Sequence, residues 1–518
     1  MGGTRVSSST LATACCPQAT QTCWPAWCRS CTTRAECGAN DLPRGARMIG
    51  RVAVVGAGIS GLAAAYELQS AGIEAVVLEA GDQPGGKIDS APVGGLTVDS
   101  GPDGFVARDP AAAELCRRLG LGAELVEPAA SGAYVWVDGR LCPLPARSVL
   151  GAVWTADAVA GTGVVSEQAV DALARGLARD ADPLLGDASV GEVLRPRLGD
   201  EVFERLVDPL LGGINAGSAD EMSIEACAPP LYEAAQMGGP LGPALQRVAS
   251  AQGRDGSREA MGPVFQSVRG GVTRIVDALA AELGEAVQLA TPVESVKPQA
   301  ARGAGRRWRV TTPNGPLEAD GVILTCPAWE SARLLEPLAP DAAAILGDIE
   351  YADVALATFV VRDEHLAQPL DGSGFLVPRS QGLLTTACSW TSSKWRHYAH
   401  EGLAVLRVSA GRTDDRRWMD LDSAELISTL AAELADTGVV SVQDATRGRF
   451  EVRVTPWLRS LPQYRPGHLE RAAAVDACLA DGTPGLVAAG AAFRGVGLPA
   501  CTRGAQEAAG AVTRAVLC

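Results

Sequence analysis

Three features of this 518-residue chain predict an α/β fold with more than one domain. A parallel β-α-β unit opens at Arg51, a mostly helical segment spans 140–264, and a stretch that alternates in β fashion runs through 350–412. The length suits two or three domains. We expect a parallel-sheet domain, an antiparallel-sheet domain and a helical insert.

The first unit carries the clearest signal. Arg51-Val-Ala-Val-Val55 is a short apolar run of the kind that a strand buried on both faces shows. Gly56-Ala-Gly-Ile-Ser-Gly61 follows, and then Leu62–Gln69, rich in Ala and Leu with helical spacing. A second strand, Glu74–Leu78, ends at Glu79. A helical crossover between two such strands makes the pair parallel. Gly56-x-Gly58-x-x-Gly61 lies between strand and helix, with an acid closing the next strand, which is the Rossmann dinucleotide fingerprint in its confirming context. Gly56 permits the tight turn, Gly58 lets backbone approach a pyrophosphate, and Gly61 lets helix and strand pack closely. Glu79 is placed to accept hydrogen bonds from ribose hydroxyls.

Further along, Ser189-Val-Gly-Glu192 reads as a capping box, and the stretch through Val202, Leu206 and Leu210 is amphipathic. Residues 235–262, rich in Gly, Gln, Ser and Pro, predict a surface loop. Pro313-Asn-Gly-Pro316 turns a hairpin between Arg307–Thr311 and Leu317–Thr325, which contains the buried strand Gly321–Leu324. Strands are expected near Val354–Val361, Gly374–Val377, Leu383–Cys388 and Ala404–Val408. The chain closes with a strand at Gly485–Ala489, a glycine-rich loop and an Ala-rich helix from about Thr502. The nucleotide-binding domain then comprises 48–139, 265–330 and 450–518, the helical insert 140–264, and the β-rich substrate domain 331–449.

Composition excludes several classes. Forty-five Lys and Arg against sixty Asp and Glu give a formal net charge of −15. Nucleic acid binding without sequence preference needs a basic footprint that this chain lacks. No apolar stretch reaches the ~18 residues of a membrane helix. We therefore expect no transmembrane segment and a cytoplasmic protein, peripheral membrane contact being left open. Six of the fourteen cysteines lie in the first 37 residues and the rest are scattered, as in a reducing compartment. Cys28-x-x-Cys31 has no second pair at zinc spacing, and the segment lacks the apolar region of a secretory signal. Residues 1–47 are read as a disordered tail or a mis-assigned start, with Met48 just ahead of the first strand. His365, His397, His400 and His468 are read as solvated, with no carboxylate cluster to complete a metal site; His397 and His400 are spaced to share a helix face. Asp414-Asp415 beside Arg416-Arg417 reads as a salt-bridged surface turn, and Cys388 and Cys501 as small apolar packing groups.

Two distant segments resemble one superfamily. Glu79-Ala-Gly-Asp-Gln-Pro-Gly-Gly-Lys87 and Gly485-Leu-Val-Ala-Ala-Gly-Ala-Ala-Phe-Arg-Gly-Val-Gly-Leu-Pro-Ala-Cys-Thr-Arg-Gly504 resemble the FAD-binding segments of flavin amine oxidases and phytoene desaturases. Within that superfamily, Gly101-Pro-Asp-Gly-Phe105, Gly199-Asp-Glu-Val202, Pro209–Gly217, Phe265–Gly271, Cys388–Trp395, Pro462-Gln-Tyr-Arg-Pro-Gly-His468 and Phe493–Pro499 resemble the oxygen-dependent porphyrinogen oxidases. Their order is similar to the bacterial coproporphyrinogen III oxidase type, formerly grouped with protoporphyrinogen oxidase, over about 48–518.

The resemblance implies an α/β fold with a Rossmann-type FAD-binding domain, an antiparallel-sheet substrate domain and a helical insert. It implies an FAD-dependent oxidase of heme biosynthesis that converts coproporphyrinogen III to coproporphyrin III. Flavin N5 would accept hydride, O2 would take the electrons away as H2O2, and the product would pass to a ferrochelatase. The alternatives are a protoporphyrinogen IX oxidase, a flavin amine oxidase or carotenoid desaturase, and a non-catalytic relative of the GDP dissociation inhibitors. The implied FAD contacts are Gly56, Ala57, Gly58, Ile59, Ser60, Gly61, Glu79, Ala80, Gly86, Lys87, Gly101, Pro102, Asp103, Gly104, Val293 (a strand valine on the adenine side), Trp457, Gly490, Val496, Gly497 and Leu498. Ala500 stands where the family usually carries an acid. No catalytic acid–base residue stands out. Arg108, Arg379, Lys394 and Arg494 are the candidates for binding propionates, since charge-assisted pairs with carboxylates are strong.

Overall fold

The first parallel pair among the described residues lies at the centre of a five-stranded sheet. Strand β1 (Arg51–Val55), helix α1 (Ile59–Ser70) and strand β2 (Glu74–Leu78) form its first unit. The sheet order is Val287–Gln288, β2, β1, Gly321–Leu324, Leu486–Ala488, and every pair is parallel. This computed structural model describes residues 50–130, 132–253, 263–299 and 307–517. The expectation for residues 1–47 lies outside the described residues.

Val52, Val54, Leu62 and Leu68 are fully buried and pack with Leu279, Ala505 and Val512. Unbroken Val/Ala runs are what a sheet covered on both faces selects. The last helix, Leu498–Leu517, begins ahead of the predicted Thr502. Pro499 is tolerated there because N–H groups of a first turn have no intrahelical acceptor.

A second sheet has seven strands, in the order Glu451–Pro462, Tyr351–Arg362, Leu403–Ala410, Thr385–Trp390, Gly374–Leu376, Tyr134–Val137, Arg140–Pro143. All pairs are antiparallel except Gly374–Leu376 with Tyr134–Val137. Its outer strands therefore come from segments that the sequence boundaries gave to the nucleotide-binding domain and the insert. Alternation marks a strand but does not reveal its pairing partner. Helix Ser423–Asp436 covers one face, burying Leu426, Leu430 and Leu434 against Phe359 and Leu406.

The insert packs helices Glu167–Ala178, Val190–Leu198, Asp208–Asn215, Pro229–Gln236 and Leu241–Ala251 around a core of its own. The capping box is present: Ser189 Oγ accepts from Glu192 N at 3.1 Å, and Glu192 Oε2 accepts from Ser189 N at 3.0 Å. The predicted loop 235–262 is corrected. Leu241–Ala251 is helical, because Leu241, Ala244, Leu245 and Val248 form a buried i, i+3, i+4, i+7 stripe that outweighs the loop-like composition. Residues 254–262 lie outside the described residues.

The histidines also depart from expectation. His365 and His468 are buried rather than solvated. His397 and His400 share no helix, since Arg396–Tyr398 is a single 3-10 turn that ends before His400. The acidic–basic turn is closed by Arg417–Asp415 at 2.7 Å, while Arg416 reaches Asp353 at 2.8 Å.

Candidate cofactor site

The C-terminal ends of β1, Gly321–Leu324 and Leu486–Ala488 lie side by side. The chain leaves β1 towards β2 on one side while later strands fill the other, which makes this edge a topological switch point, the usual ligand crevice of open α/β sheets. Gly56, at φ +102°, makes the turn and donates to Leu78 O at 2.8 Å. Thr325 Oγ1 braces the turn by donating to Val55 O at 2.8 Å and Gly56 O at 3.0 Å. A Cβ at Gly61 would fall 1.8 Å from Gly56 O, whereas one at Gly58 would meet nothing within 4 Å. Packing thus requires Gly61, and Gly58 borders open space. Helix α1 has no side-chain cap and no acid in its first turn, so its free N–H groups and dipole face that space uncompensated. Ser60 Oγ donates to Cys501 O at 3.5 Å, tying α1 to the last helix.

Glu79 closes β2. Its Oε2 accepts from Ala57 N at 2.6 Å and its Oε1 from Gly81 N at 2.8 Å. Each oxygen keeps lone-pair capacity for a ribose hydroxyl. Ala80 beside it is exposed. Val293 is buried near the same edge, where Glu79 O accepts from Thr291 N at 2.7 Å. It lies in a connecting segment ahead of strand Ser295–Gln299, not in a strand as expected. Its carbonyl accepts from Arg333 Nη2 at 2.8 Å, an anchor that local alternation cannot show.

Gly85 and Gly86 both have positive φ. Gly85 N donates to Ala57 O at 2.8 Å, and a Cβ at Gly86 would lie 3.3 Å from Gly58 Cα, so the second glycine pair packs on the first. Lys87 then turns inward, its ammonium 5.9 Å from the Tyr351 ring centroid. Among the described residues no carboxylate pairs with it, and burial lowers its pKa. A half-buried unpaired cation is costly, and an anion relieves that cost. The open Gly58, the uncapped helix and Lys87 together fit a phosphate-bearing dinucleotide.

The Gly101–Gly104 loop is held from the seven-stranded sheet. A Cβ at Gly101 would fall 1.9 Å from Lys87 O. Asp103 pairs with Lys394 at 3.1 Å and Arg407 at 3.3 Å. Burial alone would raise its carboxyl, but the two cations outweigh burial and hold it below the usual range. Arg407 is buried and also donates to Gly101 O. Trp457 Nε1 donates to Ser100 O at 2.7 Å, just ahead of Gly101 and Pro102. The polar groups of Asp103 and Trp457 therefore shape this loop. Across the crevice, Gly490 at φ +125° starts the loop that passes Val496 and Gly497 into Leu498. Ala500 Cβ lies 2.6 Å from where a Gly495 Cβ would sit.

The four propionate candidates are each tied to a different partner. Arg108 donates to Gln252 Oε1 at 2.6 Å. Arg379 pairs with Asp208 at 2.9 Å and with Asp414, and donates to Gly217 O at 2.6 Å. Lys394 holds Asp103, and Arg494 pairs with Asp476 at 2.5 Å. Arg407 was missed from the sequence. Its signal is composition: a lone arginine inside the apolar strand Leu403–Ala410 must find a carboxylate.

Comparison with known proteins agrees with this geometry. Residues 59–513 match the family model described as flavin containing amine oxidoreductase. The chain is 31% identical to a coproporphyrinogen III oxidase of Bacillus subtilis (strain 168), over 87% of its own length and 95% of the relative's. It is 32% identical to one of Mycobacterium bovis, over 89% and 97%. A solved structure from Exiguobacterium sp. 255-15, provisionally named a protoporphyrinogen oxidase, superposes with a TM-score of 0.77 at 30% identity, covering 89% of this chain and 98% of the other.

Proposed function

The chain belongs to the flavin containing amine oxidoreductase family and to that of its coproporphyrinogen III oxidase relatives, and from that premise we propose that it oxidises coproporphyrinogen III to coproporphyrin III with FAD. What carries the reading is a crevice built for a dinucleotide in a chain that covers 95–97% of relatives bearing that one name.

FAD, when bound, supplies an acceptor for the electron pairs that leave the macrocycle. The chain's own residues hold and orient. Glu79 takes the ribose, and the N–H groups around Gly58 together with Lys87 take the pyrophosphate. Val293 would lie on the adenine side. The backbone of 496–498, at the start of the last helix, offers N–H groups where negative charge grows on reduction. Lys394, Asp103 and Arg407 keep the Gly101–Gly104 loop in shape beside it.

The substrate's propionates call for cations. Arg108 is the most available of the four candidates, because its partner is a neutral amide, whereas Arg379, Lys394 and Arg494 would have to leave carboxylates. O2 as the final acceptor, delivery of product to a ferrochelatase and a cytoplasmic site complete the reading. Among the described residues, no helix is long and apolar enough to cross a membrane.

The test is oxidation of coproporphyrinogen III by FAD-loaded protein, followed by porphyrin fluorescence and H2O2. One H2O2 per electron pair supports the reading, and a flavin-loaded protein that forms no porphyrin refutes it. Protoporphyrinogen IX is the second reading, favoured by the name of the Exiguobacterium structure.

A further inference from the structure

We propose that Tyr464 and His468 are positioning residues for the 490–497 loop: three polar contacts from their side chains fix its backbone and so set how tightly, and in what environment, flavin is held. The inference rests on the flavin reading above.

Within itself the loop closes one turn, Phe493 N donating to Gly490 O at 3.2 Å. Gly490 and Gly495 sit at φ +125° and +136°, in backbone that other residues rarely adopt, and glycine-rich backbone is entropically expensive to fix. Three more of its polar groups end on two neighbouring side chains. The Tyr464 hydroxyl accepts from Gly495 N at 3.0 Å and donates to Ala491 O. His468 Nε2 lies 2.9 Å from Phe493 O, to which the neutral ring donates. The two rings stack at 3.9 Å and 17°. Both side chains are buried, at 3% and 2% exposure.

The pair stands on a firm base. Tyr464 O accepts from Ser223 N at 2.8 Å, and Gln463 Nε2 donates to Asn215 O at 2.8 Å. Asp187 Oδ2 accepts from both Gly467 N at 2.7 Å and Ser223 Oγ at 2.6 Å. Segment 463–468 thus anchors in the helical insert and grips the loop. A hydroxyl bridging Ala491 and Gly495 fixes the course of the chain just before Val496 and Gly497. Those N–H groups stabilise developing charge only when held in place beforehand.

Tyr464→Phe removes the hydroxyl and keeps the ring stack. His468→Gln keeps a donor for Phe493 O, and His468→Leu removes it. We expect Tyr464→Phe to fold, to raise the FAD dissociation constant roughly tenfold, to move the bound-flavin absorption band, and to speed amide hydrogen exchange across 490–497. His468→Gln should recover much of what His468→Leu loses. Unchanged affinity, absorption and exchange in Tyr464→Phe and His468→Leu would overturn the proposal. So would equal losses in both His468 variants that track melting temperature, the mark of mere packing. Wild-type protein that takes up no FAD would instead overturn the flavin reading, and the exchange experiment would still decide the clamp.

Discussion

Gly58 and Gly61, three residues apart, should respond oppositely to the same change. Alanine at Gly61 drives a methyl to 1.8 Å from Gly56 O, so the turn itself must break. Alanine at Gly58 fits an ordinary backbone conformation (φ −68°, ψ 175°) and meets no protein atom within 4 Å. Gly61→Ala is expected to lower the melting temperature sharply or prevent folding. Gly58→Ala should melt like wild type yet bind FAD at least about tenfold more weakly, its methyl occupying pyrophosphate space. Thermal melts and flavin titration separate the two, and full affinity in Gly58→Ala would show that no phosphate lies there. His468 supplies a pH dependence. Burial pulls its pKa from 6.5 to about 4, with Phe493 O, Arg471, Asp187 and Tyr464 around it. Because the folded value is the lower one, its contribution is full above about pH 6.5 and declines as pH falls towards 4. Wild-type protein should therefore lose melting temperature more steeply than His468→Gln between pH 7 and 4.

At the scale of elements, the Gly101–Gly104 loop and the seven-stranded sheet are joined by Asp103 with Lys394 and Arg407. Asp103→Asn removes the carboxylate that ion-pairs the buried Arg407, a loss of about 3–5 kcal/mol for a buried pair. Lys394→Met added to it should recover part of that loss, since the two sites share a network. Denaturant midpoints of the single and double variants measure both, and strict additivity would show that Lys394 and Asp103 act separately. This junction also marks what the sequence made legible. The β1–α1–β2 unit and the 189–192 capping box are local patterns, and the structure has both where the sequence places them. The pairing of Glu451–Pro462 with Tyr351–Arg362, the carboxylate partners of Arg379 and Arg494, and the burial of His468 depend on residues far apart in the chain. Helix Leu241–Ala251 is legible in its apolar stripe, which a loop-like Gly, Ser and Pro composition masks.

At the scale of the whole molecule, the proposed cofactor crevice draws on segments from Gly56 to Leu498, and the insert is tied to its 490–497 loop through Tyr464. The match to coproporphyrinogen III oxidases over nearly their full length fits a chain in which every layer contributes. The formal charge of −15 opposes capture of a substrate with four carboxylates. Local cations should prevail, because exposed charges beyond about 10 Å are screened at ordinary salt. Coproporphyrinogen III and protoporphyrinogen IX share a macrocycle, and the first keeps propionates where the second has vinyls. The most direct test is the ratio of their kcat/KM values, read by porphyrin fluorescence with FAD-loaded protein. One additional charge-assisted contact predicts a roughly ten- to hundredfold preference for coproporphyrinogen III, and equal or faster turnover of protoporphyrinogen IX would contradict the assignment.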